Sequence, residues 1–282
     1  MNLPFALDLS GKTVVVTGAG GVLCSCFAEA AARCGAKTAL LDLNLEAAER
    51  CAAAIREAGF EAKAYQVNVL EKTTVEAARE AILQDFGPCD ILINGAGGNN
   101  PRANTTKDYY LPDDPDDSVV TFFDLDPKGV EFVFNLNFLG TLLPTQVFAR
   151  DMVGREGAAI INISSMNAFT PLTRIPAYSG AKAAVSNFTQ WLATHFSKAG
   201  IRVNAIAPGF FLTNQNRGLM VNPDGSPSAR AEKILAGTPM GRFGEPEELL
   251  GALEFLMNDK ASSFVNGVVI PVDGGFNAYS GV

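Results

Sequence analysis

Two rhythms of apolar and polar positions alternate along the 282-residue chain. Short, mostly apolar runs at Thr13–Thr17, Lys37–Asp42, 89–93, 158–163 and 201–206 have the length of buried strands, and 61–67 reads as a further strand with polar and apolar positions alternating. Between them lie longer stretches with helical spacing: an alanine-rich one ending at Cys34, then 45–58, 71–86, one opening at Asp126-Pro127, 178–198, and one after Pro246. Pro127 suits the first turn of its helix, where a missing N–H leaves nothing unpaired. A last strand and tail are expected within 263–276. Strand and helix in strict alternation predict an α/β fold, a doubly wound parallel sheet of about seven strands with helices on both faces. No repeat or linker divides the chain, so residues 1–282 are expected to form a single domain.

Composition narrows the function. Hydrophobic residues make up 48% of the chain and charged ones 18%, which suits a well-buried globular protein. A net charge of -8 with no basic patch excludes nucleic acid or an anionic membrane as an expected partner. The five cysteines, at 24, 26, 34, 51 and 89, are odd in number, and the only histidine is His195. They read as free thiols of a reducing compartment rather than metal ligands or disulfides. The N-terminal stretch has no basic segment followed by an apolar run, no transmembrane span is expected, and a cytoplasmic location follows as the default.

Candidate chemistry gathers in two places. The first strand ends in Gly18-Ala-Gly-Gly21 before a helix, where unpaired amides and the helix dipole favour a phosphate; a plain strand-to-helix turn is the alternative. The second is 165–182. Tyr178 and Lys182 are four apart, so on a helix they share one face, and an ammonium there would favour the phenolate. Spacing alone is equally that of an ordinary surface pair. Ser165 follows the 158–163 run, at the carboxyl edge of the sheet where ligands of such folds bind.

Taken together, the strand-end Ser165, Tyr178 thirteen residues later, Lys182 and the upstream Asn137 resemble the short-chain dehydrogenase/reductase family of Rossmann-fold enzymes. The resemblance implies catalytic roles for Asn137, Ser165, Tyr178 and Lys182, a dinucleotide-binding half at about 10–153, and a catalytic and substrate half at about 154–282. It implies contacts to the cofactor from Gly18, Gly21, Val22, Leu23, Asp42, Asn68, Val69, Asn94, Gly95, Ala96, Tyr178, Lys182, Pro208, Phe211 and Thr213. Four positions depart from the family pattern: Val22 and Cys24 stand where it has glycines, Asn68 where it usually has aspartate, and Gly95 where it has the second asparagine of Asn-Asn-Ala-Gly. Asp42 ends the second strand, where a carboxylate accepts both ribose hydroxyls of NAD and repels the 2′-phosphate of NADP. Capping the helix near Leu45 is its other reading.

The segment 98–127 is longer than the family's usual connection and reads either as a substrate lid or, over 108–118, as an exposed acidic insertion. The stretches 17–25, from 97, from 121 and from 137 look like the group of D-mannonate oxidoreductases, or fructuronate reductases. A sugar acid is therefore the expected substrate, with Arg102 or Arg174 as carboxylate clamp and Asn99, Asn100, Asn167 and Asn214 as partners for hydroxyls. Another enzyme of the family, such as a polyol dehydrogenase or a carrier-bound ketoacyl reductase, and a nucleotide sensor without turnover are the alternatives. A homo-oligomer, dimer or tetramer, is implied by the resemblance.

Overall fold

In the computed structural model, which describes residues 7–113, 116, 118–212 and 217–281, seven strands form one parallel sheet in the order β3-β2-β1-β4-β5-β6-β7. They are β1 (Thr13–Thr17), β2 (Lys37–Asp42), β3 (Ala62–Gln66), β4 (Ile91–Asn94), β5 (Ala159–Ile163), β6 (Arg202–Pro208) and β7 (Val269–Val272). Parallel strands need covered faces, which explains why β1, β4 and β5 are buried at every position. Successive side chains alternate between faces. Val14 and Val16 pack with Phe27, Leu253 and Leu256 on one side, while Val15 packs with Val75, Phe148 and Leu192 on the other.

The first face is covered by α1 (Val22–Arg33), α2 (Leu45–Glu57) and a later helix; the second by α3 (Lys72–Asp85), a broken helix and the long helix Pro176–His195. The broken helix runs from α4 (Pro127–Phe134) to α5 (Gly140–Met152) through a wider π turn at Asn135–Leu139. By length and composition the stretch Pro127–Met152 is apolar enough to cross a membrane, yet half of an apolar 18-residue window within it is buried inside the protein, and Asn137, Thr141 and Thr145 are buried too. Next come α6 (Pro176–His195), starting two residues before the predicted boundary, α7 (Arg217–Met220), α8 (Ala229–Ala236), α9 (Leu250–Met257) and α10 (Asp259–Ser262). Proline at the start of α6 moves that boundary forward, because it costs no amide there.

Strand order reverses between β1 and β4. Chain leaving β1 turns to one side of the sheet and chain leaving β4 to the other, which opens a crevice above their carboxyl ends. Thr17 pairs with Asn94 at that edge, and the Thr17 hydroxyl accepts the amides of Gly95 and Ala96 at 3.1 and 3.2 Å. The two strand-end turns are thereby locked together.

Candidate active site

A crevice of about 560 Å³ lies over the strand ends. At one end the glycine turn leads into α1. Gly18 takes φ +70°, and a Cβ there would meet Ala96 at 2.9 Å, so both backbone and space require glycine. Helix α1 starts at Val22 with no side-chain cap on Gly21. The amides of its first turn have no partner inside the helix and face an anion arriving in the crevice. Val22, Leu23 and Cys24 all line it, so the side chains replacing two glycines leave the crevice open.

Asp42 lines the crevice at the end of β2. Its carboxylate accepts the Gly20 amide at 2.9 Å and the Asn44 amide at 2.8 Å, while Asn44, not Asp42, caps α2 by accepting the amide of Ala47. The helix-cap reading of Asp42 therefore falls. Asn68 and Val69 form the neighbouring wall. The Asn68 side chain is occupied, donating to Glu71 at 2.8 Å and accepting from Leu70 at 3.1 Å.

At the other end of the crevice stand Ser165, Tyr178 and Lys182. Ser165 follows β5 and accepts the amide of Asn167 at 3.2 Å, a turn that fixes its hydroxyl at the rim. Tyr178 and Lys182 share one face of α6, and the ammonium lies 5.7 Å from the phenol ring centroid. Lys182 is 4% exposed and donates to the Ile163 carbonyl at 2.8 Å; burial pushes its pKa down to about 8. Burial also raises the Tyr178 phenol above its ordinary value, opposed by the hydrogen bond from Ser165. Of the two groups expected to favour the phenolate, an ammonium and a hydroxyl partner, it is the Ser165 hydroxyl that draws the Tyr178 pKa down here.

Asn137 sits in the π turn, fully buried. Its side-chain amide donates to the carbonyls of Gly98 at 2.7 Å and Val133 at 2.8 Å, and its oxygen accepts the Gly98 amide at 3.3 Å. An asparagine inside a helix is tolerated here because the widened turn hands it these backbone partners. A Cβ on Gly97 would fall 2.7 Å from the Asn137 oxygen and 3.1 Å from the Lys182 nitrogen, so a residue without a side chain brings those two groups together.

Several expected site residues lie elsewhere. Asn94 is buried beneath the crevice, donating to Thr145 and Asn162 at 2.9 Å each, and holds the strand ends rather than lining the site. Arg102 pairs with Asp126 and Arg174 with Asp108, so both expected carboxylate clamps are engaged by the chain's own carboxylates. Asn99 donates to Asn104 at 3.0 Å, and Asn100 accepts the Arg102 amide at 3.0 Å; both serve the insertion itself. Asn167 is 4% exposed, and its side-chain oxygen has no partner among the described residues. Thr213 and Asn214 fall outside the described residues. Pro208 and Phe211 line the crevice as expected. Phe210, Met220 and Phe243 also line it without having been anticipated, because three separated segments supply them and no local spacing links them.

The glycine cradle, the uncapped amides of α1 and the acid at the end of β2 fit a dinucleotide lying along the crevice, its reactive end toward Tyr178. The chain matches the short chain dehydrogenase family over residues 12–222 and belongs to it. It is an oxidoreductase acting on CH–OH groups. An uncharacterized oxidoreductase of Haemophilus influenzae is 63% identical over 282 residues, covering 100% of this chain and 99% of that one. A crystal structure of a candidate D-mannonate oxidoreductase from Haemophilus influenza with bound NAD superposes with a TM-score of 0.95 at 63% identity, covering 100% of both chains. More distantly, the 5-keto-D-gluconate 5-reductase of Escherichia coli (strain K12) is 32% identical over 95% of this chain and 96% of its own.

Proposed function

We propose that the protein is an NAD(H)-dependent dehydrogenase of a sugar acid, interconverting D-mannonate and D-fructuronate. The observation that carries the reading is the meeting of Ser165, Tyr178 and Lys182 at one end of a crevice whose other end presents uncapped helix amides and Asp42. Bound there, the nicotinamide supplies hydride exchange at its C4 atom. Asp42 would take the ribose hydroxyls and disfavour a 2′-phosphate, and its backbone partners Gly20 and Asn44 hold it in place.

Within this reading Ser165 donates a hydrogen bond to the substrate oxygen, and Tyr178 exchanges the hydroxyl proton. Lys182 holds the ribose of the nicotinamide and stabilises the phenolate once the site is closed to water. Asn137 connects Lys182 to solvent. The sugar-acid substrate is supported by the 63% identity to the candidate D-mannonate oxidoreductase structure and by the 5-keto-D-gluconate reductase at 32%. Arg102 and Arg174 no longer count in its favour, since each already holds a carboxylate of the chain.

The test follows oxidation of NADH and NADPH at matched concentrations with fructuronate, tagaturonate, 5-ketogluconate and a ketoacyl thioester. Turnover of NADH with fructuronate above the others supports the proposal. Activity confined to 5-ketogluconate or to the thioester would overturn the substrate, and a preference for NADPH would overturn the role of Asp42.

A homo-oligomer belongs to the same reading. Phe132, Phe134 and Leu139 on the broken helix, and Trp191 on α6, stay between 37% and 55% exposed, an apolar face suited to a second copy.

A further inference from the structure

Gly95 has no backbone reason to be glycine, since it is not among the glycines with positive φ. The reason is a neighbour. A Cβ built on Gly95 would lie 2.1 Å from the Cys24 sulfur, far inside any van der Waals contact, and 2.9 Å from the Thr17 carbonyl oxygen. Cys24 projects from the first turn of α1 across to the turn after β4 and is 6% exposed. Both residues line the crevice, as does Lys182. Burial pushes the thiol up to about 12, so at neutral pH it is an uncharged filler rather than a nucleophile.

We infer that Cys24 and Gly95 act as one positioning unit, the sulfur of one occupying the space a side chain of the other would take, and together they set the crevice floor on which the dinucleotide rests. The two positions are 71 residues apart in sequence, yet they join the phosphate-facing end of α1 to the 95–98 turn. That turn carries Gly97 against Asn137 and Lys182, so a displacement at 95 moves the catalytic end of the crevice as well. The inference rests on the NAD reading above.

The geometry makes a directional prediction. In Gly95→Ala the new methyl meets the sulfur and the turn must move. In Cys24→Ala/Gly95→Ala the sulfur is gone and the two methyls would stand 3.6 Å apart, an ordinary contact, while the backbone carbonyl oxygen of Thr17, 2.9 Å from the new methyl, must still give way, so the rescue is partial. NADH binding is measured by fluorescence titration for the wild type, both single variants and the double, with thermal unfolding followed on the same samples. Gly95→Ala should lose about tenfold in affinity, Cys24→Ala no more than about threefold, and the double variant should bind at least about threefold more tightly than Gly95→Ala.

Should Gly95→Ala prove too unstable to titrate, the double variant's binding decides alone. A folded double that binds NADH supports the unit; one that folds and does not bind, or additive losses across the set, overturns it. Equal NADH affinity in all four proteins, with changes confined to unfolding temperature, also overturns it, because the pair would then be mere packing. Failure of the wild type to bind NADH would overturn the cofactor reading and the positioning role with it, whereas binding by wild type without rescue overturns the pair alone.

Discussion

Tyr178 and Lys182 are both disfavoured as ions by their surroundings, and what relieves them differs: a hydroxyl from Ser165 for the phenol, the Ile163 carbonyl for the ammonium. Lys182 yields a stability prediction with a definite sign. Its pKa is about 8 in the folded chain against 10.5 for an exposed lysine, so between those values the unfolded state binds more protons. Wild-type stability from this group therefore rises with pH across that window, and the cost of the buried charge is full below pH 8. Lys182→Met has no such dependence. Its unfolding midpoint relative to wild type should be highest near pH 7 and fall steadily toward pH 10.5, as denaturant titrations would show. A constant difference would refute the buried position of the ammonium. At this scale the meeting of Tyr178, Lys182 and Ser165 in one crevice was legible, because helical spacing and strand-end position leave them little choice of place. Arg102, Arg174 and Asn100 were not, because long or polar surface side chains go wherever a partner waits. The partners, Asp126, Asp108 and the Arg102 amide, are set by a loop without periodicity.

Elements show the same division. The first six strands and the helices other than α7, α8 and α10 were legible from apolar runs and period, with boundaries that moved, as at Pro176; the stretch 214–238 reads as a polar loop in the sequence, yet it holds α7 and α8. The π turn at Asn135–Leu139 was not legible, since no residue pattern distinguishes it from the helix on either side. The insertion at 98–127 is tied by Asp108, which bonds Thr173, Arg174 and Lys233 and thereby links it to the approach to α6 and to α8. These bonds hold the Asp108 carboxyl down at about 2, and the strap survives acidification until pH falls through that value. Being at the surface, the strap contributes little to global stability. Asp108→Asn should change the unfolding free energy by less than about 1 kcal/mol and make the insertion cut faster by a low concentration of protease. Unchanged proteolysis would show that the ion pairs do not restrain the segment. The five cysteines, none of them in a disulfide, fit the thiol reading from composition, and burial raises the pKa of all five.

For the whole molecule, the reversal of strand order between β1 and β4 places the site, and everything that touches it descends from that topology. The exposed face of the broken helix and α6, with Trp191 stacked on His195 at 4.6 Å and on Phe188 at 6.1 Å, is expected to bury itself against a second copy. Light scattering should find a dimer or larger assembly, and Trp191→Glu should shift it toward monomer; a wild-type monomer would end that expectation. The central claim is that the Tyr178 phenol exchanges the proton of the substrate hydroxyl at the reactive end of a bound dinucleotide. Its most direct test is Tyr178→Phe, compared with wild type for NADH affinity and for the single-turnover rate with fructuronate. The predicted result is unchanged affinity with a rate lowered by about 10² to 10⁴, and a variant that kept most of its rate would contradict it.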